Sequence, residues 1–209
     1  MNTTARAYPG VRAAIGSDWR TALPLIASKG VTLRALHESD APTLHAMLTT
    51  EEVARFVSPP PTTVDGFERF IRWTHQQQQA GRYVCFGIVP AGRTDAVGLI
   101  QVRAIDAAFE VAEWGFAIGS EFWGTGLFQS AARQVVNFVF ATLPVQRLEA
   151  RAVTLNGRGN GALRKVGAVC DAVLRQSFER NGTRMDQILW SILRSDWLQP
   201  RVTSAARVH

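Results

Sequence analysis

The stretch Glu113-Trp114-Gly115-Phe116-Ala117-Ile118-Gly119-Ser120-Glu121-Phe122-Trp123-Gly124-Thr125-Gly126-Leu127 decides the fold. Its first part reads as a buried strand. A tight glycine loop follows, and Leu127 opens a long helix. Such a loop leaves backbone N–H groups pointing outward at the positive end of a helix dipole. That arrangement binds an anion such as a pyrophosphate. The stretch therefore reads as the core of a cofactor-binding enzyme.

Toward the C-terminus, Leu127, Ala131, Val135, Phe138 and Val139 share one helical face, and Leu143-Pro144 stops the helix. Arg147 to Val153 alternates and predicts a strand. Asn156 to Val166 predicts a helix with Gly167 as its stop. Val169 to Phe178 and Arg184 to Leu193 predict two strands, with Asn181-Gly182 as a hairpin turn signal. Toward the N-terminus, Tyr83 to Val89 and Ala96 to Arg103 read as a hairpin around Pro90 to Asp95. Before it, Phe67, Phe70, Ile71 and Thr74 mark an amphipathic helix behind a capping box at Thr62 to Asp65. Glu51 to Phe56 reads as a short helix. Ala41 to Leu48 is another, capped by Ser39 or Asp40. Val31 to Leu36 is the first strand.

The pattern is mixed α/β without an internal repeat. Residues 1–29 show no clear period and read as an N-terminal extension. Residues 30–198 form one domain, and 199–209 a polar tail.

Composition narrows the partners. Apolar residues make up 46% and charged residues 19%, enough apolar material for a real core. No apolar run approaches the ~18 residues that span a bilayer, and no basic-then-apolar leader opens the chain. The expectation is a cytoplasmic protein without membrane contact, monomer or homodimer. The net charge is +6, and Lys29 and Lys165 are the only lysines among 23 basic residues. No Lys/Arg run interleaves with aromatics, so nucleic acid is not an expected partner. A basic surface also suits an anionic cofactor. His37, His45, His75 and His209 are scattered, so no metal is expected. Cys85 and Cys170 sit in apolar runs and read as reduced core thiols. Trp73, Trp114, Trp123 and Trp190 read as core, with Trp123 exceptional for lying in the loop itself.

Three loop types compete. A dinucleotide fingerprint is weak, because Gln129 stands where a third Gly or Ala belongs. A P-loop would need Gly-Lys-Ser/Thr, which is absent. The third is the acyl-CoA loop of the GNAT acetyltransferases. From roughly Val31 to Leu193 the chain resembles the branch of that superfamily that includes ribosomal-protein N-terminal acetyltransferases. The resemblance is carried by Leu33-Arg34-Ala35-Leu36 with Asp40-Ala41, Ala112 through Gly119, Phe122 through Leu127, Arg147-Leu148-Glu149-Ala150, and Asn156 through Gly167, in family order and spacing. Glu121 departs from the Gln/Arg that usually opens the loop, and leaves the backbone cradle intact.

The resemblance implies a mostly antiparallel twisted sheet of about seven strands flanked by helices and splayed between its fourth and fifth strands. It implies acetyl-CoA as cosubstrate, its pantetheine arm lying in the splay. Phe116, Ala117 and Ile118 would pair with the arm, Trp123, Gly124, Thr125, Gly126 and Leu127 would hold the pyrophosphate, and Asn156 would contact the pantetheine. The implied reaction is direct attack by a primary amine, from a protein N-terminus or a small molecule. Glu113, on the strand face opposite Trp114 and Phe116 and flanked by Gly115 and Ala117, is the candidate general base. No Tyr follows Tyr83, so the general acid is unassigned. That gap and Glu121 keep a second reading in view, a non-catalytic acyl-CoA sensor on the same fold.

Overall fold

The computed structural model describes residues 18–198. Its elements are β1 (Ile26–Ser28), β2 (Val31–Ala35), α1 (Ala41–Leu48), α2 (Glu51–Ala54), α3 (Val64–Gln79), β3 (Tyr83–Pro90), β4 (Gly98–Ala104), β5 (Val111–Ile118), α4 (Leu127–Thr142), β6 (Arg147–Val153), α5 (Gly157–Val166), β7 (Val169–Arg180), β8 (Thr183–Leu193) and α6 (Arg194–Leu198). One eight-stranded sheet runs β1-β2-β3-β4-β5-β6-β8-β7. Every neighbouring pair is antiparallel except β5 and β6.

Helices cover both faces of the sheet's first half, so β3 is buried along nearly its whole length. One core lies under α4 and α5, where Val135, Phe138 and Val139 meet Phe86, Ile100 and Trp114. The other lies under α1 and α3, where Leu44, Phe67 and Ile71 meet Tyr83, Cys85 and Leu99. The two cores follow from strand alternation, since neighbouring residues of β3 and β4 face opposite ways. No described helix is long and apolar enough to cross a membrane.

Three details depart from the sequence reading. The sheet has an eighth strand, because β1 pairs with β2 at Ile26↔Leu33. Residues 1–17 of the presumed extension, and the tail 199–209, lie outside the described residues. Within the rest of that extension Trp19 and Ile26 are buried, and Gln78 Nε2 donates to the Trp19 carbonyl at 2.8 Å. Asp40 does not cap α1 with its side chain. Instead its carboxylate takes a fork of hydrogen bonds from Arg34, at 2.7 and 2.8 Å. Cys170 is exposed on the edge strand β7, while Cys85 is buried.

Gly98 sets the spacing of β4 and β5. A Cβ there would lie 2.5 Å from the Ala117 carbonyl oxygen and 2.8 Å from Ile118 Cα. Both neighbours are backbone and cannot yield locally. Gly98→Ala is therefore expected to destabilise the fold by about 1–3 kcal/mol, read as a lower urea midpoint.

Candidate active site

The parallel junction between β5 and β6 is short. Pairing covers Val111↔Arg147, Ala112↔Leu148 and Glu113↔Glu149, then stops. Beyond it β5 continues against β4 alone and β6 against β8 alone. The strands part, and each leaves one backbone edge facing the opening. An extended chain in that opening can hydrogen-bond as an added strand.

The opening leads into a cleft of about 1350 Å³. Phe116, Ala117 and Ile118 form one wall, and the loop from Ser120 to Gly124 with Gly126 forms the end. The start of α5 lies opposite, and Glu52 to Val57 close the side. Seven of the nine residues expected at the cofactor line this cleft: Phe116, Ala117, Ile118, Trp123, Gly124, Gly126 and Asn156. Thr125 and Leu127 are not in the lining. They shape the loop, with the Thr125 hydroxyl donating to the Phe122 carbonyl at 2.8 Å and accepting from Leu127 N–H at 3.3 Å.

Two glycines make the cradle. Gly124 (φ +77°) and Gly126 (φ +84°) are both left-handed, and a Cβ on either would meet nothing within 4 Å. Backbone geometry, not crowding, requires glycine at both. Gly126 is the N-cap of α4, and the helix starts without a side-chain cap or an acidic residue in its first turn. Its positive end therefore faces the cleft uncompensated. Arg158 and Lys165 add positive charge to the lining, and the Arg158 guanidinium sits 4.3 Å above the Trp123 ring. Trp123 Nε1 donates to the Ile118 carbonyl at 3.3 Å, bracing the loop against β5. Glu121 turns to the rim, 3.9 Å from Arg93. An elongated anionic ligand fits these features: free strand edges, an open amide cradle and a basic wall.

Asn156 caps α5, its Oδ1 accepting from Gly159 N–H at 2.9 Å. Sequence reasoning missed Asn160, one turn on. Its amide donates to the carbonyls of Val153 and Asn156, each at 2.9 Å, and its oxygen accepts from Trp190 Nε1 at 2.9 Å. It ties the end of β6 to α5 and β8. An Asn inside a helix is the only sequence signal for this.

Glu113 stands at the last paired position of β5 and is not in the cleft lining. Arg103 holds one carboxylate oxygen, and Arg151 Nη1 lies 3.3 Å from the other. The pairing continues across β6, where Arg147 bonds Glu149 at 2.7 Å and Asp171 at 2.5 Å. Asp171 is held below the usual carboxylate range, chiefly by that hydrogen bond from Arg147. Nearby, the Tyr83 hydroxyl donates to Gln101 Oε1. Burial pushes the Tyr83 phenol far up, with the neighbouring Cys85 adding to the rise, so it stays a donor. Trp73, expected in the core, is 43% exposed beside Tyr83. Among the described residues no group of His, Cys, Asp and Glu has the makings of a metal site.

Comparison with known proteins gives a consistent picture. A family model described as an acetyltransferase (GNAT) domain matches residues 31–169. The uncharacterized N-acetyltransferase YoaA of Bacillus subtilis (strain 168) is 27% identical over 174 residues, covering 82% of this chain and 97% of the relative. Two solved structures share the fold. A ribosomal-protein-S5-alanine acetyltransferase from Vibrio fischeri has TM-score 0.74 at 19% identity, covering 83% of this chain and 98% of that one. A spermidine N-acetyltransferase from Vibrio cholerae, solved with CoA and spermine, has TM-score 0.71 at 20% identity, covering 82% and 99%.

Proposed function

Since the chain belongs to the GNAT acetyltransferase family and is an acetyl-CoA-dependent acyltransferase, we propose that it moves the acetyl group of acetyl-CoA to a primary amine by direct attack. The observation that supports this best is the early end of β5–β6 pairing, which opens two strand edges onto a cleft with an amide cradle. When bound, acetyl-CoA supplies an activated acyl group and a thiolate leaving group.

The chain's residues then have separate tasks. Backbone groups of Phe116, Ala117 and Ile118 hold the pantetheine arm as an added strand. The amides of Trp123 to Leu127 hold the pyrophosphate at the start of α4. A backbone N–H of β5 near the thioester polarises its carbonyl and steadies the oxyanion. Asn156 fixes the first turn of α5 against the arm. Glu113 takes the amine's proton through a water, and Arg103 and Arg151 fix the carboxylate while it does so.

The reading is tested by binding and turnover measured separately. Acetyl-CoA is expected to raise the melting temperature, and an amine panel to release CoA. No stabilisation at any concentration would reject the proposal. Binding without turnover on any amine would leave a sensor on the same fold. Within the enzyme reading, Glu113→Gln is expected to lower kcat about 100-fold, within the range for a lost general base, at unchanged acetyl-CoA affinity. An unchanged kcat would reduce Glu113 to a structural ion-pair partner.

A further inference from the structure

On the sheet face opposite α4, polar side chains flank Gly115 where β5 and β6 begin to part. Gln101 is the register partner of Gly115, and Arg103 that of Glu113. A Cβ on Gly115 would lie 3.2 Å from Gln101 Nε2, so glycine leaves that amide uncovered on this side. The amide oxygen is already taken by Tyr83, which leaves the Gln101 N–H groups as the available donors.

The charges of this face decide what it can hold. Arg103, Arg147 and Arg151 stand against Glu113, Glu149 and Asp171, and each of these carboxylates is already paired with a guanidinium. Their charge is thereby balanced, so a polyamine, which brings only positive charge, would meet no net negative surface there. The guanidinium groups are not saturated. The Arg103 side chain is 56% exposed and pairs with Glu113, and that of Arg151 is 37% exposed and pairs with Glu113 and Glu149. Each guanidinium has five N–H donors, so both can take a further carboxylate. Trp73 provides an apolar flank. Its exposed ring lies 5.0 Å from that of Tyr83, the register partner of Arg103.

Resting on the acetyl-transfer reading above, the geometry points to an acceptor that carries its own carboxylate: an α-amino acid with an apolar side chain. Its carboxylate lies on Arg103 and Arg151, its amine beside Glu113, and its side chain against Trp73. In the transfer the amine nitrogen bonds to the acetyl carbon and the thioester C–S bond breaks. Of the two protons the ammonium gives up, one ends on the thiol of CoA and one in solvent.

The test compares a free amino acid, its carboxamide and spermidine as acceptors for the full chain. Phenylalanine and phenylalaninamide serve as the matched pair. Phenylalanine is expected to exceed its amide at least 10-fold in kcat/KM, and spermidine by more. Arg103→Gln and Arg151→Gln are expected to bring that ratio near 1 while KM for acetyl-CoA stays unchanged. Thermal melts of both variants check folding, and the wild-type ratio stands without them. Equal use of acid and amide, a preference for spermidine, or acetyl-CoA binding with neither acceptor used would overturn the inference. Failure of acetyl-CoA to bind would instead overturn the transferase reading beneath it.

Discussion

Replacing Asp40 with Ala is expected to destabilise the protein by about 3–5 kcal/mol, the cost of breaking a buried ion pair from one side. That is a large share of the roughly 5–15 kcal/mol that holds a typical domain together. Asp40 is 1% exposed and accepts four hydrogen bonds. Two come from Arg34, one from His37 N–H at 2.8 Å and one from Ala96 N–H at 2.9 Å. Arg34 Nη2 also reaches the Thr94 carbonyl at 2.7 Å. One carboxylate thus joins β2, the start of α1 and the turn before β4. Without it, a largely buried guanidinium loses its counter-charge and two N–H groups lose their partner. Asp40→Asn is expected to be damaging too, because an amide turns two further donors toward the donors it should satisfy. Urea denaturation checks both variants.

The same residue predicts an acid limb. Burial alone would raise the Asp40 pKa. The hydrogen bond from Arg34 and those from His37 and Ala96 outweigh it, so the folded value lies below the usual carboxylate range. The stabilisation is then fully present above the unfolded value of about 3.9, and is lost as pH falls through the folded value. Wild type is expected to lose stability below about pH 4, with a shallower acid limb in Asp40→Ala.

The second large effect is on cosubstrate binding. Gly126→Val is expected to weaken acetyl-CoA binding about 100-fold by calorimetry, equivalent to about 2.7 kcal/mol. A β-branched residue at φ +84° is strained, and the loop relieves that strain by turning its amides away. Gly92 supplies an internal control. It has nearly the same φ, +81°, with nothing within 4 Å of a Cβ, and lies outside the cleft lining. Gly92→Val is expected to cost comparable stability and leave acetyl-CoA affinity unchanged. Equal loss of affinity in both variants would mean that general destabilisation, not the cradle, is being measured.

Much of this architecture was legible in the sequence, where one residue's pattern carries its own meaning. Alternation in Arg147–Val153, the helical stripe after Leu127 and the turn at Asn181-Gly182 all act over a few neighbouring residues. The Gly124 and Gly126 cradle was legible for the same reason. What escaped depends on register between distant strands. The ion-pair partners of Glu113 were not legible, because Arg103 and Arg151 become its neighbours only after β4, β5 and β6 align. Asp40 looked like a helix cap because Arg34 lies on the preceding strand. Strand β1 has three residues, too few to show a period, and Trp19 gives no sign of its burial. Cys170 and Trp73 were placed inside by their apolar surroundings. Their exposure follows from an edge strand and a half-covered helix face.

The three-residue junction of β5 and β6 also shapes how the molecule breathes. Outside that junction the two parts of the sheet share no strand pairing, and α4 joins them only through side-chain packing, on β2 and β3 on one side and on α5 on the other. Local opening should therefore divide the sheet at this seam, with one exchange behaviour for β1 to β5 and another for β6 to β8. Amide deuterium uptake along Trp114–Ile118 and Ala150–Val153 should fall when acetyl-CoA fills the seam. The cosubstrate would then act as a missing rung, making one cooperative unit of two.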